Sequence, residues 1–404
     1  MSVNNYFADL HIHTGIAENG HWIKIPTSRH LTVRNICEHA LCQKGMDIIG
    51  LVDTLSPLVQ TDISNLIGEG LLIPLCGGGY RYKERLTVLI GAEIETAEHQ
   101  GGMAHTLIFL PDLKIMGKFS QYMGKFIKNI NMSTQNAHMS LSSLVDVGIS
   151  YEALIIPAHI FTPYKSIYGA AANRLSDLLT DHQLRKLSAV ELGLSADTGM
   201  ADRISELSEY SFITNSDAHS LEKIAREYTL FQIDSPDFYE ISQALLRRNG
   251  NKVTANFGLD PRLGKYHRTL CEACGHVEQL HDITSCDHCP QCGSAKIVRG
   301  VLDRINQIAD HTAPIHPSWR PPYIYQIPLE FIPGIGKKTL QHLLAAFGTE
   351  MHILHSAGED ELEAVVGAKL TKFILAARSG NAVIKMGGGG LYGKMQSCDR
   401  TIVV

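Results

Sequence analysis

The sequence predicts an α/β fold over its first 258 residues, a mainly parallel sheet either open or closed into a barrel, followed by a small cysteine-rich module and a compact helical domain. Three observations carry that expectation. Short apolar runs alternate with helix-like stretches through the first 258 residues. Imidazoles and carboxylates recur at the ends of the apolar runs. Of the nine cysteines, those at 271, 274, 286, 289 and 292 crowd together, and the chain beyond them is helix-forming.

Taken in order, YFADLHIH (residues 6–13) is strand-like and TVRNICEHALCQKG (32–45) helix-like. Further strand-like runs follow in DIIGLVD (47–53), LTVLIGAEI (86–94), HTLIFL (105–110), LIIPAH (154–159), SAVELGL (188–194) and SFITNSDAH (211–219). Helical patterns such as NRLSDLLTDHQLRKL (173–187) and DFYEISQALLRRNG (237–250) lie between or after them. Repeated strand–helix alternation predicts parallel pairing. The expected domains are 1–258, a cysteine module over 262–302, a proline-rich connector over 303–325 around TAPIHPSWRPPYIYQIP, and a helical module over 326–404 ending in the glycine-rich KMGGGGLYGKM.

With 44% hydrophobic and 19% charged residues, the 404-residue chain has the composition of a globular protein able to bury a large core. No apolar stretch approaches the roughly 18–20 residues needed to cross a bilayer, and the N-terminus lacks the pattern of a secretion signal, so a cytoplasmic, nucleoid-associated protein without a membrane partner is expected. The net charge of −5 excludes a protein that coats nucleic acid with its whole surface. Charge is uneven, however. Residues 1–261 carry 21 Lys+Arg against 28 Asp+Glu, a net of −7, whereas residues 262–404 carry 15 against 13, a net of +2. An acidic half suits cation binding, and a basic tail suits a phosphate backbone.

The candidate chemistry lies at the strand ends. His11 and His13 alternate with Leu10 and Ile12, so a strand puts both imidazoles on one face, beside Asp9. A lone His-x-His is as readily a chance surface pair. Later strands change that balance, because they carry Asp53, Glu93, His105 and His159, and then Asp217 with His219. In a parallel barrel such groups converge at one mouth. Eight ligand groups exceed the needs of one ion, so two or three divalent ions are expected, with carboxylates bridging them. Bridged ions lower the pKa of a bound water and neutralise phosphate oxygens, which points to phosphoester hydrolysis. A histidine able to protonate the leaving oxygen is not singled out among His21, His30, His105 and His159. Glu191 is either a carboxylate behind the ions or a strand-end group bonded to backbone. His138, His182, His276 and His281 are read as ordinary surface or structural histidines.

The DLHIHT opening, GAEIE, HTLIF, PAHIFTPY and NSDAHS are similar, in that order, to the PHP (polymerase and histidinol phosphatase) superfamily. The resemblance implies a distorted (β/α)7 barrel and a trinuclear phosphoesterase site. Two departures stand out. Thr54 follows Asp53 where the family has a histidine, and Glu18 is the only nearby candidate for a carboxylate soon after the first motif.

Cys271-x-x-Cys274 and Cys289-x-x-Cys292 are two knuckles separated by 14 residues. Four thiolates so spaced bind one structural Zn²⁺ and leave no open position. Cys286 offers an alternative pairing with Cys289, but CPQCG matches CEACG and is preferred. The module is either a structural staple or part of a nucleic-acid grip.

FIPGIGKKTLQHLLAAFG has an apolar lead-in, a Pro-Gly-Ile-Gly turn and a helix with Leu340, Leu343, Leu344 and Phe347 at core spacing. It resembles the helix-hairpin-helix motif, whose glycines present backbone N–H groups to a DNA phosphate. ELEAVVGAKLTKFILAARSG resembles a degenerate second copy. Gly334, Gly336, Lys337, Lys338, Lys369 and Lys372 are the candidate DNA-binding residues. A packing hairpin is the alternative.

The full order of barrel, ribbon, connector and basic helical module resembles the endonuclease Q family of DNA-repair nucleases. That resemblance implies cleavage 5′ of uracil, hypoxanthine, xanthine or an abasic site, in damaged duplex or single-stranded DNA. The mouth ions would be Zn, Mn, Mg or Fe, by availability as much as by affinity. Rival readings are a small-molecule phosphatase, which leaves residues 262–404 without a purpose, and a DNA-binding protein with a structural metal cluster, which eight converging ligands argue against.

Overall fold

The computed structural model describes residues 4–25, 27–277, 288–380, 382–385 and 394–395. Cys286, His281 and the glycine run 387–390 lie outside them. The first part contains strands β1 (Asn4–Ile12), β2 (Ile48–Leu51), β3 (Leu72–Pro74), β4 (Tyr80–Tyr82), β5 (Leu86–Ala97), β6 (Met103–Leu110), β7 (Leu154–Pro157), β8 (Val190–Glu191), β9 (Phe212–Ile213), β10 (Tyr228–Ile233) and β11 (Lys252–Gly258). Helices α1 (Val33–His39), α2 (Pro57–Gly68), α3 (Leu113–Met123) and α4 (Leu141–Ser150) cover them. Thr32, Asp112 and Ser140 cap α1, α3 and α4 by accepting a backbone N–H of the first turn.

The expected distorted barrel is present, but its sheet is mixed rather than mainly parallel. β1–β2–β5 pair in parallel, whereas β5–β6, β6–β7, β1–β10 and β10–β11 are antiparallel. The ring β1–β2–β5–β6–β7–β8–β9 then closes through single bonds outside regular ladders. Ser188 N–H donates to Ile155 C=O at 2.9 Å and Ile160 N–H to Glu191 C=O at 3.0 Å, while Ala218 N–H donates to His11 C=O at 3.2 Å. A buried cluster including Leu10, Leu89, Leu107, Phe109, Ile156 and Ile213 packs against these strands. Gly50 and Gly91 are needed there, because an added Cβ would lie 2.8 Å and 2.6 Å from the Phe109 ring.

Beyond the barrel, β12 (Leu270–Cys271) and β13 (Ile297–Val298) carry the cysteine module, and α5 (Val301–Ile308) follows. The proline-rich stretch is extended, as its prolines require, and clamped to the barrel. Arg320 is nearly buried and pairs with Asp202 at 2.8 Å, and β14 (Tyr323–Tyr325) adds to β11 in parallel. The helical module comprises α6 (Lys337–Phe347), α7 (Glu350–His355) and α8 (Glu359–Arg378). It docks on the barrel through a buried Lys44–Glu350 pair at 2.9 Å and through His355, which stacks on Phe7 at 4.6 Å. Among the described residues no helix is long and apolar enough to cross a membrane.

Candidate metal centre

Strand periodicity builds the centre of the mouth. On β5, Glu93 and Glu95 share one face while Ile94 and Thr96 take the other. The β1–β2 register shifts between Asp9 and Ile12, the kind of irregularity that re-aims side chains beside a site. Asp9 is a brace, accepting the Ser216 and Ala225 N–H groups at 3.0 Å and 2.8 Å.

Seven of the eight expected ligands converge. His11 Nε2 lies 3.5 Å from Glu93 Oε1 and 3.6 Å from Asp217 Oδ1, and His13 Nε2 lies 3.4 Å from both Glu93 Oε2 and Asp217 Oδ1. Tetrahedral ligands about 2.1 Å from an ion stand about 3.4 Å apart, so these spacings fit an ion at their centre. His11 Nε2 is moreover fully buried without a hydrogen-bond partner. Glu93 Oε1 also faces His105 Nδ1 at 2.7 Å and His159 Nε2 at 3.2 Å, which makes Glu93 common to two ligand sets. His219 Nε2 lies 3.3 Å from Asp217 Oδ1 at the outer edge.

Asp53, the eighth expected ligand, lies outside that set of facing atoms. It stands behind His13, 3.1 Å from Nδ1, and accepts the Thr14 N–H at 2.6 Å. Glu191 takes the same position behind His11, with its two oxygens 3.0 Å and 3.1 Å from Nδ1, and also accepts the His159 N–H. Each ring nitrogen facing the mouth is thus oriented by a carboxylate on the other nitrogen, as in many metal sites. Of the histidines left open as proton donors, His21 and His30 are surface residues and His105 and His159 both face Glu93. Glu18 is exposed and pairs with Arg34 at 3.0 Å.

Burial opposes ionised carboxyls here, yet the surrounding positive charge prevails. Glu93 is held well below its ordinary range by His105 and Lys24, and Asp217 likewise by His11 and hydrogen bonds from His13 and His219. Glu95 falls to about 2 through hydrogen bonds from His105 and Lys165. His159 and Asp217 occupy left-handed backbone, φ 29° and 46°, the local strain that gathers at functional sites. Gly193 lets the chain pass His159, since a Cβ would sit 2.9 Å from that of His159.

Lys24, Thr134 and Glu95 were not expected. Lys24 and Thr134 come from segments without strand periodicity, so no spacing signal marks them. Glu95 follows Glu93 by two residues and was legible in that spacing. The mouth opens into a cavity of 530 Å³ whose rim includes Tyr164, Lys165, Lys223, Arg226, Lys265 and Tyr266.

The ribbon sulfurs meet as expected. Cys271 and Cys292 Sγ are 3.6 Å apart, as are Cys274 and Cys289 Sγ, close to the roughly 3.8 Å edges of a tetrahedral Zn²⁺ thiolate site. In the helical module Gly334 has φ +92°, and a Cβ there would lie 2.8 Å from Leu370, while Gly336 caps α6 and exposes Lys337 and Lys338. The anticipated second turn is present as a break in α8 at Gly367, φ 77° and ψ 159°, with Lys369 and Lys372 exposed beyond it. Lys223 links hairpin to mouth, bonding Glu330 at 2.7 Å and lying 4.7 Å above the Phe331 ring.

Comparison with known proteins supplies the wider context. A family model described as PHP-associated matches residues 197–249. The YqxK protein of Bacillus subtilis (strain 168) is 43% identical over 391 residues, which is 96% of this chain and 99% of that protein. The crystal structure of the lesion-specific endonuclease PfuEndoQ from Pyrococcus furiosus superposes with a TM-score of 0.83 at 29% identity, covering 99% of this chain and 97% of that one. Endonuclease Q bound to a 27-mer duplex substrate with an abasic lesion at its active site gives a TM-score of 0.83 at 30% identity, covering 99% and 98%.

Proposed function

The chain belongs to the endonuclease Q family, a family of metal-dependent nucleases acting on damaged DNA, and from that premise we propose that it hydrolyses the phosphodiester bond 5′ of a deaminated base or an abasic site. The observation that carries the reading is the buried, unpartnered His11 Nε2 facing Glu93 and Asp217 at ligand spacing, in one cluster with His13. His11, His13, Glu93 and Asp217 would hold one divalent ion, and Glu93, His105 and His159 a second, with His219 beside Asp217. Ions held there supply Lewis-acid charge to the phosphate and activate a water. Asp53 and Glu191 keep the two imidazoles aimed. No serine or cysteine nucleophile is required.

DNA approaches along the basic rim. Lys165, Lys223 and Lys265 offer point charges to backbone phosphates, and the Gly334–Lys338 turn grips the duplex beside the mouth without reading sequence. A lesion weakens pairing and stacking, so extruding the damaged nucleotide into the cavity costs least there. A small-molecule phosphatase would use the same mouth but has no need of a phosphate-binding hairpin four residues from a rim contact.

The test is a denaturing gel with full-length protein, Mg²⁺ or Mn²⁺, and end-labelled duplex carrying one deoxyuridine, deoxyinosine or abasic site, beside an undamaged control. One metal-dependent cut 5′ of the lesion is expected. Hydrolysis of a small phosphoester without any cut in lesion DNA would establish the phosphatase instead.

A further inference from the structure

We propose that Ile25 is a wedge, a positioning residue that enters the base stack at the lesion and fills the gap left by the extruded nucleotide. The inference deepens the endonuclease reading above and rests on it.

The loop that carries Ile25 is fixed at the edge of the mouth. Gly15 C=O, two residues beyond His13, accepts the Ile23 and Lys24 N–H groups at 2.9 Å and 3.2 Å, and Ile23 C=O accepts the Ser133 N–H at 2.6 Å. Thr27 Oγ1 donates to Lys24 C=O at 2.6 Å, and Ser28 N–H donates to His219 C=O at 3.3 Å. The loop is thus tied to the chain just beyond His13 and to His219, at two edges of the metal centre. Ile23 is fully buried and anchors the loop in the core, whereas Ile25 is 65% exposed, more than any other large apolar side chain among the described residues.

A single apolar side chain on a surface is ordinary, and here its position decides. Tyr164 is also exposed, but it lines the cavity and meets Tyr266 at 5.9 Å, so it belongs to the wall that receives the nucleotide. Ile73 lies on β3, whose partner β4 pairs with the first residues of β5, at the end away from Glu93. Ile25 stands outside the cavity wall, while His219, which its loop holds, is part of that wall. An extruded nucleotide leaves a gap in the stack and an unpaired base opposite, and an apolar side chain inserted between base steps keeps such a gap open. Isoleucine suits that task, because a β-branched side chain has little rotamer freedom to lose and no polar group to desolvate. Arg29 completes the contact. It is exposed, with its guanidinium 5.4 Å above the Trp22 ring, and offers a charge to the phosphates beside the wedge. An apolar wedge reads no base edge, so it serves every lesion alike and leaves the choice among lesions to the cavity.

The experiment compares a paired with an unpaired lesion. Full-length wild type, Ile25→Ala and Ile25→Leu are assayed with Mn²⁺ on an end-labelled strand carrying one deoxyuridine, either in duplex opposite adenine or left single. On duplex the kcat/KM of Ile25→Ala should fall by about 10- to 50-fold, the factor for withdrawing three carbon atoms from a filled gap, with Ile25→Leu near wild type. On the single strand, where no stack has to be held open, both variants should match wild type. In an Asp217→Ala background, which leaves the strand uncut, 2-aminopurine beside the deoxyuridine of the duplex should brighten on binding, and should brighten less when Ile25→Ala is added. Undiminished duplex cleavage or brightening with Ile25→Ala, or equal loss of cleavage on both substrates, would overturn the wedge while leaving the endonuclease reading intact. Wild-type protein that cuts neither substrate would overturn the endonuclease reading and the wedge with it.

Discussion

The Glu191 carboxylate lies 3.0 Å from His11 Nδ1, and that contact fixes which ring nitrogen of His11 faces the mouth. Glu191 also accepts the Asn215 amide at 2.7 Å, so it is itself held in place. Glu191→Gln keeps the size of the side chain but removes the charge that strengthens the imidazole as a ligand. A 10- to 100-fold loss of affinity for mouth ions is expected, the usual effect of removing a carboxylate behind a metal-bound histidine, about 1.4–2.7 kcal/mol. Titrating nuclease activity with Mn²⁺ and following binding by calorimetry checks this. Unaltered affinity would reduce Glu191 to a structural bond.

Asp217 is different because it faces the ligand cluster directly, with Oδ1 within 3.6 Å of three histidines. Asp217→Ala should lower metal-dependent cleavage by about 10³-fold or more, with unchanged circular dichroism, since the loss removes both a ligand and negative charge between imidazoles. Activity retained in metal-replete protein would remove Asp217 from the centre.

The hairpin makes a separable contribution. Lys337→Glu with Lys338→Glu reverses two exposed charges beside Gly336 without touching the mouth. Duplex binding should weaken, and the slope of log K against log salt should become shallower by about 2, one phosphate contact per lysine. Hydrolysis of a small chromogenic phosphodiester should stay as in wild type. Equal loss on both substrates would mean that the module supports the barrel rather than the DNA.

The mouth was legible where chemistry follows strand period. His11 with His13 share a face because alternate strand residues do, and the acidic β5 strand declared itself in the same way. Strand direction was not legible. Register pairs His105 with Glu95 on antiparallel strands, so His105 reaches the mouth from near the start of β6, not from a C-terminal end. Spacing alone cannot tell a ligand from the carboxylate behind it, which is the position Asp53 takes at His13. Lys24 went unseen because its position depends on how the loop folds back over β1, a long-range property that no local pattern encodes. The hairpin copies were legible because Gly334 and Gly367 both take positive φ, a demand that glycine alone meets cheaply.

Glu227 is buried behind the mouth, and its state couples the fold to pH. Oε1 accepts the Leu259 N–H at 2.7 Å while Oε2 has no hydrogen-bond partner. Burial, together with Glu191 and Asp9, pushes the carboxyl up to about 8 against the pull of the Leu259 bond and Arg226. The folded-state pKa thus exceeds the unfolded value, so the native state binds the proton more tightly. Its contribution to stability is complete below about 4.5 and is lost as pH rises through about 8, at roughly 1.4 kcal/mol per pH unit in between. Glu227→Gln cannot ionise and mimics the protonated acid. Urea denaturation at pH 6, 7 and 8, at constant metal concentration, should therefore show the variant gaining on wild type by roughly that amount per unit. A difference independent of pH would mean that Glu227 is already ionised in the native protein, with the charges of Arg226 and the mouth ions outweighing its burial.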